Sequence, residues 1–421
     1  MSAPGTVAGS EKNRPTEGST TTAAPTGTAS QAPTNEHSRL GSKQHSDGGW
    51  GLVPVQVRDQ RFSSYEVTDF EPVTGLEAEW KRTPLKAISA LIGDPIDGSA
   101  LDIHYSEAAG VTVETVDRSD ARIGSAGTPE DRASANAWSS VEQAVVITVS
   151  AEDAAELVVE RLPGAAARAA HTVIIGKKHS KGTVVLQGNG PALLSENVEI
   201  VLEDGAQLTV VTVQEWDDDA VHLASHFAEI GRDAKLTHVV VSLGGKVVRV
   251  NPSTHLGGEG GEVALFGVYF ADAGQHLEQQ VFVNHDAPKT VSRVSYKGAL
   301  QGEGAHTVWI GDVLIRQSGS GTDSYEQNRN LLLTDGARAD SIPNLEIETG
   351  DIAGAGHASA SGRFDDEQLF YLQARGIAED EARRLVVLGF LVEIIQQIGS
   401  AGLEERLIGS IEAELRSKQV A

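Results

Sequence analysis

The sequence predicts a mainly β protein whose core is a parallel β-helix, or β-solenoid, with a mixed or helical region before it and a helical domain after it. Three observations lead to this fold class. Short β-rich runs follow one another from about residue 170 to about residue 350, with Gly, Asp and Asn between them as turn formers. A weak repeat recurs within that stretch. After Gly362 the apolar residues adopt a helical spacing instead.

The repeat has three clear copies. Gly205-Ala-Gln-Leu-Thr-Val resembles Asp233-Ala-Lys-Leu-Thr-His, and both resemble Gly260-Gly-Glu-Val-Ala-Leu. Their starts are 28 and then 27 residues apart. Such an interval is typical of solenoids, in which each coil buries its apolar residues against the next. Gly304 and Gly336 begin two less regular copies. A large antiparallel sandwich is the alternative fold for the same strands.

The chain divides into four predicted parts. Residues 1–47 are rich in Ser, Thr, Ala, Pro and Gly, and are predicted to be a disordered tail. Residues 48–160 are predicted to form a mixed α/β N-terminal region, in which Ala151–Leu162 has a helical spacing of apolar positions. The predicted β-helix core spans 161–362, and the predicted C-terminal helical domain spans 363–421.

The C-terminal domain contains two strongly apolar helical patterns. The buried face of the last helix is predicted to comprise Leu403, Leu407, Ile411 and Leu415. The buried face of the helix before it is predicted to comprise Ala382, Leu385, Val386, Gly389, Val392 and Ile395. We expect these helices to close one end of the solenoid, because an open sheet edge needs protection.

Composition excludes several classes of function. Asp and Glu outnumber Lys and Arg by 59 to 34, and the resulting formal charge of -25 disfavours nucleic acid as a partner. Cysteine is absent, so the chain offers no thiolate as a ligand or nucleophile. No apolar run approaches the roughly 20 residues that span a bilayer, and the N-terminus lacks the apolar core of a secretory signal. We therefore expect no membrane span and a cytoplasmic location.

Several side chains are candidate metal ligands. His357 lies in a run of small residues, Gly-Ala-Gly-His-Ala-Ser, which would leave its imidazole accessible. Glu346 and Glu348 alternate along one predicted strand and therefore share a face. His222 and His226 have a spacing that can bind zinc. Because no clear third ligand is nearby, we interpret this second pair as ordinary surface histidines.

Five motifs follow one another in a specific order along the chain. They are Glu79-Trp-Lys-Arg-Thr-Pro-Leu, Ser292-Arg-Val-Ser-Tyr-Lys-Gly, the run Asn328-Arg-Asn-Leu-Leu-Leu-Thr-Asp-Gly-Ala-Arg-Ala-Asp-Ser-Ile-Pro-Asn-Leu-Glu-Ile, Gly356-His-Ala-Ser-Ala-Ser-Gly, and Asp366-Glu-Gln-Leu-Phe-Tyr-Leu-Gln-Ala-Arg-Gly-Ile. In this order they resemble the SufB/SufD family of iron–sulfur cluster assembly proteins. The similarity is strong over about 290–400 and looser back to about 60.

The chain resembles SufD more than SufB at two positions. SufB proteins carry a scaffold cysteine in the segment that reads Asp335-Gly-Ala-Arg-Ala here, and this chain has Ala337 at about that place. Some SufD proteins have a cysteine two residues before the histidine that matches His357, where this chain has Ala355. The resemblance therefore implies a SufD-like subunit that holds no cluster by its own thiolates.

The resemblance also implies a function and partners. The chain would be a non-catalytic subunit of an iron–sulfur cluster scaffold, paired with a SufB-like subunit and bound by a SufC-like ABC-type ATPase. His357 would be a ligand of a transient iron–sulfur cluster shared with the SufB-like partner, with Glu346 and Glu348 as possible auxiliary ligands. The chain alone would bind no cluster stably.

The family's ATPase subunit binds near the C-terminal helices, which implies a docking site in this part of the chain. The candidate residues are Phe370, Tyr371, Arg375 and Gly376. Two functions of other classes remain open at this stage. A β-helix carbohydrate-active enzyme would need a ladder of acidic and basic residues on successive coils, and no such ladder is evident. A purely structural solenoid would need no site at all.

Overall fold

The structure is a computed structural model that describes residue 58 and residues 61–417, except 94, 364 and 365. The tail predicted over 1–47 lies outside the described residues. Strands make up 49% of the chain and helices 17%, so the fold is mainly β as predicted. The helices are a 3₁₀ turn at Val67–Asp69, α1 at Leu85–Ile92, α2 at Arg132–Ser140, α3 at Asp366–Gln373, α4 at Glu379–Ile395 and α5 at Ala401–Ser417.

The strands alternate along the chain between two sheets. They are β1 Asp102–Tyr105, β2 Val111–Asp117, β3 Gln143–Val149, β4 Ala155–Leu162, β5 Gly164–Gly176, β6 Lys181–Gly190, β7 Ala192–Leu202, β8 Gln207–Trp216, β9 Val221–Ile230, β10 Lys235–Ser242, β11 Val247–Leu256, β12 Glu262–Ala271, β13 His276–His285, β14 Val291–Leu300, β15 His306–Ile315, β16 Thr322–Leu332, β17 Arg338–Ile347 and β18 Ile352–Arg363.

The two sheets form a parallel solenoid of about eight turns. One sheet has the order β1-β4-β6-β8-β10-β12-β14-β16-β18, and the other has the order β17-β15-β13-β11-β9-β7-β5-β3-β2. Every pair from β3 and β4 onward is parallel, whereas β1 and β2 add to the N-terminal end in antiparallel fashion. The parallel β-helix prediction is therefore confirmed, and the antiparallel sandwich is excluded.

The internal repeat corresponds to the coil. Gly205, Asp233 and Gly260 lie in the turns before β8, β10 and β12, with φ of 70°, 52° and 73°. Gly304 and Gly336 hold the same place before β15 and β17 in the other sheet, also with positive φ. Such a conformation strains most side chains but not glycine, which explains why four of these five turns have glycine at this place. The Leu or Val three residues on packs inside the solenoid in each of the first three copies.

The C-terminal helices lie along the side of the solenoid and do not close its end. Val387, Leu391 and Ile394 of α4 pack with Val213 and Val241 on the outer face of the sheet that contains β8 and β10. The expected cap is therefore wrong. A flat apolar sheet face offers a long α-helix more burial than the narrow end of a coil does, so α4 and α5 pack on that face.

Two local predictions differ from the structure. Ala151–Leu162 is not helical but ends in strand β4, whose buried residues alternate as Leu157, Val159 and Arg161. The predicted face of α4 is only partly correct: Ala382 and Ile395 are buried, but Leu385 is 38% exposed while Val387 and Leu391 are buried instead. Residues 385–392 are apolar almost throughout, so periodicity cannot select a face. The predicted face of α5 is confirmed: Leu403, Leu407, Ile411 and Leu415 are all buried.

The N-terminal region covers the outer face of the other sheet. Trp80 and Ile88 pack with Val221 and Val247 there, and Asp131 caps α2 by accepting a hydrogen bond from the Ser134 amide at 2.9 Å. Both outer faces of the solenoid are thus partly covered. No helix among the described residues is long and apolar enough to cross a membrane.

Candidate functional site

The last coil of the solenoid, β17 and β18, forms an open end. Each of these strands is the final member of its sheet, with no described strand paired to its outer edge. Burial falls accordingly: nearly all of β15 is buried, whereas no residue of β17 is. The open end therefore presents unpaired backbone groups and the inward-facing side chains of the last coil.

His357 projects from β18 into the interior of this last coil. Its neighbours of the same parity point inward: Ala355 packs against the solenoid core, and the Ser359 hydroxyl hydrogen-bonds to that of Ser341 on β17 at 2.8 Å. The His357 side chain is 44% exposed, because no further coil covers it. Its Nδ1 lies 3.8 Å from Oε1 of Glu326 on the preceding coil. The imidazole is thus accessible from solvent and backed by a carboxyl group.

Glu326 is buried without a hydrogen-bond partner. Its side chain is 1% exposed, and neither carboxyl oxygen makes a hydrogen bond to any described residue. Burial, and then the nearby charge of Asp312, raise the pKa of Glu326 to about 8. Gly311 makes room for the group, because a Cβ there would lie 2.4 Å from Oε2 of Glu326.

A pocket of about 330 Å³ adjoins the open end. It is lined by Arg58, Phe282, Asp312, Val313, Leu314, Pro343, Asn344, Leu345, Glu346 and His357. The structure therefore brings His357 and Glu346 to one cavity. Glu348 does not line it: this exposed residue follows β17, and its carboxylate accepts a hydrogen bond from the Gln317 amide at 3.2 Å. A ligand role for either glutamate stays a prediction.

Sequence reasoning missed Glu326 and Asp312. Glu326 stands in an alternating run in which Ser324, Asn328 and Asn330 are also buried. That alternation of polar residues is the available signal, but it also fits a solvated strand. Only the register that places Glu326 directly beside His357 separates the two interpretations.

The histidine pair considered for zinc is structural. His222 lies in the core, where Nε2 is 2.8 Å from a carboxylate oxygen of Glu196 and Nδ1 accepts from the indole of Trp216 at 3.1 Å. His226 is also buried and hydrogen-bonds to His238 at 3.0 Å. The interpretation as surface histidines is therefore wrong. Over residues 61–417 with their gaps, no group of three or more His, Asp or Glu could hold a metal ion.

The proposed docking residues lie at the end of α3. Phe370 is 71% exposed and Tyr371 is 56% exposed, which makes them the most exposed aromatic rings in the described chain. The Arg375 guanidinium lies 4.4 Å from the centre of the Tyr371 ring. Gly376 follows with φ of 87° and allows the chain to turn toward α4. The pair of aromatic rings has the character of a protein-binding surface.

Comparison with known proteins gives a consistent result. Residues 159–390 match the family model described as the SufBD core domain of the SUF system for FeS cluster assembly. An iron-sulfur cluster assembly SufBD family protein of Mycobacterium bovis is 49% identical over 85% of this chain and 93% of its own length. One of Mycobacterium leprae is 47% identical over 84% and 93%. A second SufBD family protein of Mycobacterium leprae is 30% identical over 49% of this chain and 24% of its own length.

Proposed function

This chain belongs to the SufBD family of iron–sulfur cluster assembly proteins as a SufD-type member, and from that premise we propose that it is a non-catalytic scaffold subunit. It acts in the cytoplasm, pairs with a SufB-like subunit and is served by a SufC-like ATPase. A nascent iron–sulfur cluster is its cargo, held between the two scaffold subunits and not stored on this chain alone.

The observation that carries this proposal is the position of His357. The imidazole is an accessible nitrogen donor at an open end of the solenoid, and the chain has no cysteine to complete a cluster site. Iron–sulfur clusters are held mainly by thiolates, with histidine as a known substitute. The missing thiolates must therefore come from a partner bound at this end.

The edges of β17 and β18 support pairing at the same end. Their outer backbone groups have no partner strand among the described residues, and a strand from another chain would satisfy them. A solenoid of the same family has a matching cross-section and is the natural partner. The two SufBD family proteins of Mycobacterium leprae show that two such chains occur in one organism.

The ATPase is proposed to bind at Phe370 and Tyr371. Both rings are exposed on the surface of the helical domain, so they contribute little to the packing of the solenoid itself. Large aromatic side chains frequently carry most of the binding energy of an interface. Nucleotide hydrolysis there would act on the scaffold through α4, which contacts the sheet directly.

The test is a set of His357 variants in the co-expressed complex. His357→Ala should leave the complex mass, ATPase binding and melting temperature unchanged, because its neighbours are small and one side chain is a minor part of an interface. Cluster formation should fall at least tenfold, since water replaces the imidazole as a ligand. His357→Cys should restore part of the activity, whereas His357→Gln should not.

The matched control is His104→Ala. His104 is also an exposed histidine near a glutamate, 3.6 Å from Glu160, but it lies on β1 at the other end of the solenoid. This variant should form clusters at the wild-type rate. Wild-type cluster formation by an intact His357→Ala complex would show that His357 is only a solvated histidine, and would refute the proposed role of the open end.

A further inference from the structure

We propose that Glu326 is the oxygen ligand that binds divalent iron together with His357 at the open end of the solenoid. The inference rests on the proposed function, which it deepens: it assigns to this chain the uptake of a mononuclear iron(II) ion before any cluster forms. The carboxylate that assists His357 is then the buried one behind it, and not Glu346 or Glu348.

The first argument is the contrast among buried glutamates. Four are buried in the described chain, and three have charged or hydrogen-bonding partners. Glu196 pairs with Arg161 and His222, Glu199 accepts from His171 and two backbone amides, and Glu278 pairs with Arg249 and His276. Glu326 alone has no hydrogen bond on either oxygen. Buried carboxyl groups are normally paired or bound to a metal, so its partner is a group that the chain does not itself contain.

Protonation of Glu326 does not supply the missing hydrogen-bond partner. A neutral carboxyl has an O–H donor that also needs an acceptor when it is buried, and no described acceptor lies within hydrogen-bond reach of either oxygen. Asp312, which is 7% exposed, adds a second carboxyl oxygen without a hydrogen bond nearby. The charges of Arg61 and Arg58 act on Asp312, so Glu326 is the carboxyl group that still needs a cation.

The geometry allows one ion to contact both ligands. First-row divalent ions bind imidazole nitrogen and carboxylate oxygen at about 2.0–2.2 Å, so neighbouring donor atoms lie roughly 3 Å apart. The observed separation of 3.8 Å between Glu326 Oε1 and His357 Nδ1 needs a shift of less than about 1 Å, within the reach of a half-exposed imidazole.

Gly311 keeps the space behind the carboxyl group free of a side chain. A Cβ at this position would lie 2.4 Å from Oε2 of Glu326 and 2.3 Å from the Trp309 ring. The local sequence therefore accommodates the carboxyl group in its observed place, although that group makes no hydrogen bond there.

The chemistry of the pair selects the ligand class. One imidazole and one carboxylate suit first-row divalent ions, among them iron(II), cobalt(II) and zinc(II). The choice of iron(II) among these ions comes from the proposed function. Two donors leave the remaining positions to water, or to groups of the partner subunit at the same open end.

The experiment titrates the isolated full-length chain anaerobically with iron(II), and with cobalt(II) as a spectroscopic probe. The wild type should bind one ion and show the cobalt absorption of a mixed nitrogen and oxygen site. Glu326→Gln and His357→Ala should each weaken binding at least tenfold. Glu326→Gln keeps the size of the side chain and should melt at or above the wild-type temperature, because no hydrogen bond is lost. Glu326→Met, which removes both oxygens, serves as the second variant and should behave alike.

The matched control is Glu229→Gln. Glu229 and His255 also lie on neighbouring coils, but their side chains are hydrogen-bonded at 2.7 Å and half-exposed. This variant should bind metal like the wild type. Wild-type cobalt affinity in Glu326→Gln, or no binding by the wild type, overturns the inference.

Measuring the variants both as isolated chains and in the co-expressed complex separates this inference from the proposed function. If His357→Ala loses cluster formation while Glu326→Gln binds cobalt and forms clusters normally, the proposed function stands and the role of Glu326 is refuted. If Glu326→Gln loses cobalt binding while His357→Ala forms clusters normally, the metal site stands and the proposed function fails.

Discussion

Single charged residues connect the N-terminal region to the solenoid. Arg249 is 1% exposed, pairs with Asp131 at 2.7 Å and with Glu278 at 3.2 Å, and lies 4.1 Å from the centre of the Trp80 ring. Burial alone would raise the pKa of Glu278, but the hydrogen bond from His276 and the charge of Arg249 outweigh it and hold that pKa at about 2. One guanidinium thus compensates carboxylates from both parts of the chain.

Arg249→Met should therefore destabilise the protein by about 3–5 kcal/mol, because two buried carboxylates lose their counter-charge. The matched change Arg293→Met removes an exposed pair with Asp323, both 44% exposed, and should cost less than about 1 kcal/mol. Urea unfolding of the two variants at pH 7 measures the difference. Equal effects would show that the buried pairs contribute no more than surface pairs.

The same variant has a defined pH dependence. The folded pKa of Glu278, about 2, lies below its unfolded value of about 4.3. Its ionised form therefore contributes stability above about pH 4.3, and this contribution is lost as the pH falls through 2. The wild type should lose stability over that window. Arg249→Met should lose less, because the carboxylate no longer has its cation.

Among the secondary-structure elements, α4 joins the helical domain to the solenoid. Leu391 is fully buried against the sheet, while Leu385, on the same helix, is 38% exposed. Lys297 of β14 adds a polar contact by donating to the Phe390 carbonyl at 3.3 Å and to the carboxylate of Glu393. The docking of the helix is thus mainly apolar, with one polar contact near its end.

Leu391→Ala should cost about 2–5 kcal/mol and loosen the helical domain, because it leaves a cavity between α4 and the sheet. Leu385→Ala, the same change at an exposed place, should alter stability by less than about 1 kcal/mol. Melting temperature and the rate of proteolysis within 366–417 report the two effects. Equal proteolysis of the two variants would contradict the observed packing of α4.

Across the full length of the solenoid, stability should decrease toward the open end. Each coil is stabilised by its neighbours, and the last coil has a neighbour on one side only. β17 contains no buried residue, whereas β13, which lies two strands in from β17 in the same sheet, is buried at nine of ten positions. Local opening should therefore begin at β17 and β18.

Hydrogen exchange of the isolated chain tests this gradient. Amides of β17 and β18 should exchange fastest among the parallel strands, and those of β9 to β13 slowest, because the central coils open only with the global fold. Binding of the proposed SufB-like partner should slow exchange in β17 and β18 and leave β9 to β13 unchanged. If the amides of β17 and β18 exchange at the same rate in the complex as in the isolated chain, the interface must lie elsewhere.

The order of residues alone predicted the solenoid, since the spacing of Gly205, Asp233 and Gly260 reflects a coil whose turns need positive φ. It also identified α5, whose apolar residues recur at a single helical period, and the family resemblance that the comparisons confirm. These features are local or periodic, so neighbouring residues encode them.

The placement of the helices and the surroundings of His357 are decided by tertiary contacts between segments that are far apart in the sequence. Residues 385–392 of α4 are apolar almost throughout, and only the contact of this helix with the sheet selects the buried face. Glu326 precedes His357 by a whole coil, and the parallel register alone puts the two side chains 3.8 Å apart. Burial then leaves that carboxyl without a hydrogen bond. These properties depend on which distant segments pack together and exclude water. A local sequence pattern carries no information about such long-range contacts.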